Sequence, residues 1–185
     1  MGAFGYLSVL VSIVLGLGIT HLLMGFGRWV ESRSEFHAFG PSLAWGGFLL
    51  LVHIETWWTM FGYTQHHGWT FLQFVVVLLQ PMILFLLALL VFPGSDARRQ
   101  DLRENFLHQR PWFFGLLVVL LTVSIVKDLV LGRTLPGAMN LAFHGIFFVA
   151  AILGMALKQE RGHRPLAYSV LVTFVVYTVL LFFDL

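Results

Sequence analysis

The 185 residues are 58% hydrophobic and 11% charged, with 11 Lys+Arg against 9 Asp+Glu. Soluble domains carry about 25% charged residues and a smaller apolar share, so disordered, collagen-like and water-soluble globular chains are excluded. The absence of Cys excludes a disulfide scaffold, Cys-ligated zinc, thiol chemistry and c-type haem attachment; what remains is a polytopic membrane protein whose first partner is the lipid bilayer.

A transmembrane helix needs about 20 mostly apolar residues. Windows of that kind fall at 4–26, 41–63, 69–92, 111–131, 136–157 and 165–183. The expected fold class is therefore an all-α integral membrane protein, a six-transmembrane-helix bundle forming a single domain over 1–185. Strands of a β-barrel would alternate apolar and polar positions, and these segments are apolar all round. Pro41, Pro111, Pro136 and Pro165 stand at or near the first position of four of the helices, where a missing N–H costs nothing and the fixed φ suits a helix start. The first segment lacks the preceding basic residue and the small-residue cleavage site of a signal peptide, so it is read as a helix of the mature chain.

Polar groups in hydrocarbon are costly, which makes each one a candidate for function. In the first helix Ser8, Ser12, Gly16 and Thr20 recur every four residues, a small-residue stripe suited to close helix packing. His21 shares a neighbouring face with Gly18 and Gly25; a hydrogen bond to a carbonyl and proton handling are its two readings. The second helix carries His53-Ile54-Glu55-Thr56-Trp57-Trp58. Residues two apart point in nearly opposite directions, so His53 falls with Gly46, Thr56 and Met60, and Glu55 with Thr59. Such a helix has to be covered on both sides, either inside the bundle or against a second protomer.

Further along, Gln73 and Gln80 lie seven apart on one face of the third helix, the second beside Pro81, a pattern that suits a hydrated path. Loop 93–110 alternates charge signs and reads as a solvated or headgroup-level helix. Lys127 and Asp128 close the fourth helix, where Lys127 can snorkel to the headgroups. Asn140 and His144 share a face of the fifth helix, and Ser169, Thr173 and Tyr177 of the sixth suit bonds to neighbouring helices. At 1.5 Å per residue, Glu55 and His144 come out at almost one level, about 12 Å from the outer boundary.

Sorting basic residues by side gives nine (Arg28, Arg33, Arg98, Arg99, Arg103, Arg110, Lys158, Arg161 and Arg164) against two, Lys127 and Arg133. The positive-inside rule then makes the expected location a cell inner membrane with both termini periplasmic. The net charge is this topology signal and calls for no nucleic-acid partner. Three helices followed by three permit a 3+3 inverted repeat.

Three functional classes follow. The first is a channel or transporter for protons or small cations, with Glu55, His53, His144, Asn140, Gln73, Gln80, Lys127, Asp128 and His21 as the proton-handling or transport set, working as a homo-oligomer. The second is a redox or metal protein in which His53 and His144 ligate haem b or a divalent metal. The third is an accessory subunit of a larger membrane complex. No cofactor is favoured, and enzymatic activity is not expected. P-loop, G-x-S-x-G, G-x-G-x-x-G and H-E-x-x-H patterns are absent, and the spacing of Arg103 and His108 is a short chance match.

Overall fold

A computed structural model of the chain describes residues 2–31, 39–66, 68–93, 101–132 and 135–182. Among these residues the protein is all-helical: α1 (Ala3–Glu31), α2 (Gly40–Thr59), a 3₁₀ turn (Met60–Gln65), α3 (Phe71–Val91), α4 (Leu102–Gly132), α5 (Ala138–Ala156) and α6 (Glu160–Phe182). Five of the helices, all but α2, are long and apolar enough to cross a membrane. α2 has the length, at 20 residues, but His53, Glu55 and its tryptophans dilute its apolar character. Arg33, Arg98, Arg99, Arg133, His67 and the predicted end at 183 lie outside the described residues.

Local signals explain three of the helix starts. Pro41 opens α2. Thr70 starts α3 through a capping box, its Oγ1 accepting from the Gln73 N–H at 3.3 Å while Gln73 Oε1 accepts from the Thr70 N–H at 2.9 Å. Two proline-based starts need correction, because Pro111 and Pro165 lie inside α4 and α6. Asp101 Oδ1 accepts from the Arg103 N–H at 2.8 Å and begins α4 nine residues before Pro111. The added segment is amphipathic, with Leu102 and Phe106 buried and Arg103 and Glu104 exposed. A helix expected in the 93–110 loop thus exists from Leu102 onward, fused to α4. With 31 residues, α4 is about 46 Å long and outreaches a hydrocarbon core of about 30 Å.

Helix contacts arrange α2, α3, α4, α5 and α6 in a ring closed between α6 and α2, while α1 packs from outside on α3 and α2. The seam of α1 is Leu7, Val11, Leu15, Gly18, Leu22 and Gly25, all buried, at the three- and four-residue spacing of knobs-into-holes packing. Ser12, Gly16 and Thr20 are exposed on the outer side. The two halves of the chain do not pack alike. α1 lies closely on α3, whereas their counterparts α4 and α6 make no comparable contact among the described residues.

One end of the ring is filled by aromatic side chains. Fully buried Trp45 meets Phe113 at 5.1 Å, Phe114 at 5.4 Å and Phe48 at 5.5 Å between ring centroids, and Phe48 meets Phe174 at 5.1 Å. Phe114 lies directly over Gly154 of α5, where any Cβ would collide with its ring. A glycine here lets α4 and α5 close on one another, as small residues do throughout membrane bundles.

Candidate functional site

Inside the five-helix ring is a cavity of about 170 Å³. Each helix brings one stripe of side chains to it. From α2 come Phe48, Val52, Glu55 and Thr59; from α4, Leu117, Leu120, Leu121, Ser124, Lys127 and Asp128; from α5, Asn140, Phe143, His144 and Phe147. Those spacings of three, four and seven are what a helix needs to present one face. Gln80 of α3, Phe174 and Tyr177 of α6, and Tyr63 of the 3₁₀ turn complete the wall. Tyr63 and Asp128 also line a shallower, more open recess with Gly62, His66 and Gly137. These two residues therefore stand between the cavity and the outside.

Six of the residues singled out from the sequence converge here: Glu55, Gln80, Lys127, Asp128, Asn140 and His144. Lys127 does not snorkel. Its side chain is turned inward and only 7% exposed, its ammonium donates to Gln80 Oε1 at 2.8 Å, and it sits 5.9 Å from the centre of the Tyr63 ring. The Gln80 amide in turn donates to Thr56 Oγ1 at 3.4 Å. Gln80 is thus polarised from both ends, accepting from a cation and donating to a hydroxyl, beside Pro81 in a helix that needs its neighbours to satisfy freed backbone groups.

His144 is held in one tautomer. Its Nδ1 lies 2.9 Å from the Asn140 carbonyl oxygen, which can only accept, so Nδ1 carries the proton. Nε2 then accepts from the Ser124 hydroxyl at 3.2 Å. Asn140 Oδ1 accepts from the Tyr177 hydroxyl at 3.2 Å, tying α5 to α6 at the same level. Glu55 differs from these. Among the described residues no hydrogen bond reaches its carboxylate, although Lys127 and Asp128 lie within electrostatic range, and none reaches Asp128 across the wall either. A carboxylate without donors is costly to bury.

The other predicted residues lie elsewhere. His53 is fully buried on the opposite side of α2. Its Nδ1–H donates to the Leu49 carbonyl at 2.7 Å, and its ring is pressed on Gly18 of α1, where a Cβ would overlap the imidazole. Its Nε2 has no hydrogen-bond partner among the described residues. His53 and His144 thus face different surroundings and do not form the facing pair that a bis-His haem needs. Nor is there, among the described residues, a group of three His, Asp or Glu side chains able to hold a metal. His21 takes the carbonyl reading, Nε2–H donating to Phe92 at 2.6 Å. Gln73 is used by the capping box and by a 3.3 Å bond from its amide to the Val130 carbonyl, which staples α3 to α4 rather than lining the cavity. Of the stripe on α1, Ser8 bonds its own turn through Gly5, and Gly16 has nothing near it.

Three cavity residues were missed or read as packing: Tyr63, Ser124 and Tyr177. Ser124 had a signal, since it lies three and four residues before Lys127 and Asp128 on one face of α4. Comparison with known protein families, with curated proteins and with solved structures gives no match for this chain.

The Lys127–Gln80 bond yields a stability prediction. Gln80→Leu strips a buried ammonium of its acceptor and should cost about 1.5–3 kcal/mol, the worth of a hydrogen bond to a charged group. Gln80→Glu, which keeps an acceptor, should cost less. Thermal unfolding of both variants in detergent, followed by circular dichroism, measures the difference.

Proposed function

We propose that this protein is a small inner-membrane transporter for protons or small cations, with Glu55 and His144 as the groups that load and release the transported charge. The observation that carries the reading is the gathering of Glu55, Lys127, Asp128, Asn140 and His144 in one cavity of an otherwise apolar bundle. Five such groups brought together cost desolvation energy that an apolar wall would avoid. Gln80, Ser124 and Tyr177 are engaged by neighbours, so their part is positional. Glu55 is free to take a proton or a cation. Protonation of His144 Nε2 would reverse its bond with Ser124, whose hydroxyl oxygen can accept as well as donate. The aromatic layer around Trp45 closes the far end of the ring, which favours a carrier that alternates its access over a pore that stands open.

The orientation belongs to the same proposal. α2 is taken as a sixth span, and both termini are taken as periplasmic. Beyond the count of basic residues, support comes from where the described ones sit. Arg28 bonds the Pro93 carbonyl at 2.8 Å, Arg110 the Leu157 carbonyl at 2.5 Å, and Arg103 pairs with Glu160 at 2.6 Å, all at the end of the bundle away from Tyr63 and Asp128. Homo-oligomerisation is supported by the outward small residues Ser12, Gly16 and Thr20 of α1, which leave room for a second backbone. Native mass spectrometry in mild detergent should show an oligomer, and a monomer alone would count against it.

Two experiments address the remainder. Single cysteines placed at residues 2 and 66 of this Cys-free chain should react with an impermeant maleimide from the periplasmic side, and one at 161 should not. Reconstituted in liposomes under a pH or cation gradient, the wild-type protein should support flux. Glu55→Gln keeps shape and removes the titration, and should reduce flux at least tenfold; His144→Ala should shift its pH dependence. Flux unchanged in both variants would remove the proposed site, and absence of flux in the wild type would return the protein to the accessory-subunit class.

A further inference from the structure

The chemistry of the cavity narrows the cation. We propose that it binds a small primary alkylammonium ion, with the ammonium at Glu55 and the hydrocarbon tail against the aromatic floor; this rests on the cation-transport reading and names its substrate class.

Charge selects the sign. The wall holds two carboxylates, Glu55 and Asp128, and one ammonium, Lys127. Lys127 is already directed at Gln80 and the Tyr63 ring, and no hydrogen bond reaches Glu55 among the described residues, so a cation is what the site lacks. Its kind follows from what surrounds Glu55. A bare metal ion must exchange its water for several converging oxygen or nitrogen ligands, and no trio of His, Asp or Glu side chains converges among the described residues. An ammonium group asks for less: one carboxylate and a few neutral acceptors.

Shape supplies the rest. On the stripe of α2 that carries Glu55, the next residues inward are Val52 and Phe48. Phe48 packs with Phe174 at 5.1 Å and with Phe147 at 6.1 Å, and all three line the cavity. A solute reaching past Glu55 therefore meets hydrocarbon. A hydrated inorganic ion gains nothing from that surface, whereas each methylene of an alkyl chain gains about 0.8 kcal/mol on burial, close to a fourfold step in affinity. The volume of about 170 Å³ is below the roughly 300–1,000 Å³ of pockets for drug-sized ligands, so a short chain fits and a lipid does not. The recess bounded by Tyr63 and Asp128 puts a second carboxylate on the way in.

Isothermal titration of the purified full-length protein in lipid nanodiscs tests this with methylammonium, propylammonium and pentylammonium chloride, with sodium chloride and the matching neutral alcohols as controls. The expected result is saturable binding of one amine per chain, tightening about fourfold per added methylene until the cavity is full. Each alcohol should bind at least tenfold more weakly than the matching amine, and an equal concentration of sodium should not compete. Glu55→Gln should weaken pentylammonium binding at least tenfold. The chain-length series needs only the wild type, so it decides the matter even where Glu55→Gln fails to fold. Affinity that does not rise with chain length, alcohols that bind as well as amines, or a folded Glu55→Gln that binds unchanged would each overturn the proposal. Glu55-dependent proton flux in liposomes with no amine binding would overturn the amine and leave the transporter; loss of both would remove the two together.

Discussion

A helix with polar groups on opposite sides needs both of them accommodated inside an apolar bundle, and α2 is that helix. One side is closed by contact: the His53 ring rests on Gly18 of α1, with its Nδ1–H spent on the Leu49 carbonyl. The other side is kept open, because Glu55 and Thr59 look into the ring of helices instead of a packed neighbour. The position of α1 follows from this. Besides its larger contact with α3, α1 covers the His53 face of α2, and its glycine at that contact is the condition for doing so. The ring follows as well, since α3 to α6 have to surround the Glu55 face without filling it.

Some of the basic residues counted for orientation also have a structural use. A helix ends with carbonyls that have no partner and with a partial negative charge, and both problems are sharper near hydrocarbon. α3 and α5 end at the same side of the bundle and are treated alike. Phe92 and Pro93, after α3, receive His21 and Arg28 from α1. Leu157, after α5, receives Arg110 from α4 and His163 from α6. Each end thus meets one imidazole and one guanidinium. Asn105 adds a bond to the Leu90 carbonyl at 3.0 Å. Arg28, Arg103 and Arg110, which read in the sequence only as positive charge, are in the folded chain ties between helices.

What was legible in the sequence follows from which forces are local. Helix number and the rough limits of four helices came from apolar runs and caps, which act within a few residues. The early starts of α4 and α6 were hidden because a proline is a strong local signal, and Asp101 together with the docking of Leu102 and Phe106 outweighs it. In the site, helical phase separated His53 from Glu55 correctly, and rise per residue put Glu55 level with His144. Depth and phase do not say which helices are neighbours. That is why Gln73, in phase with Gln80, was grouped with it although it caps its own helix and bonds across to α4. The direction of Lys127 was illegible for the same reason: snorkelling and an inward turn differ only in whether an acceptor such as Gln80 stands across the ring.

The two ends of the cavity differ in how they are closed, and that difference bears on how a carrier of this shape would work. Toward Tyr63 and Asp128 the walls are polar, and the wall continues into an open recess. Toward Trp45 they are aromatic rings in edge contact, reinforced by Phe114 seated on Gly154. Packed aromatics resist small adjustments, because moving one ring forfeits contacts with all of its neighbours. Opening on that side would therefore require helices to separate as bodies, and the carbonyl ties of Arg28, His21, Arg110 and His163 span the helix pairs that would have to part. The guanidinium bonds of Arg28 and Arg110 are worth about 1.5–3 kcal/mol each, so with the two imidazole bonds and the aromatic layer they hold that end of the bundle closed. The two ends are joined through α2, which borders the cavity, the aromatic layer and α1 at once.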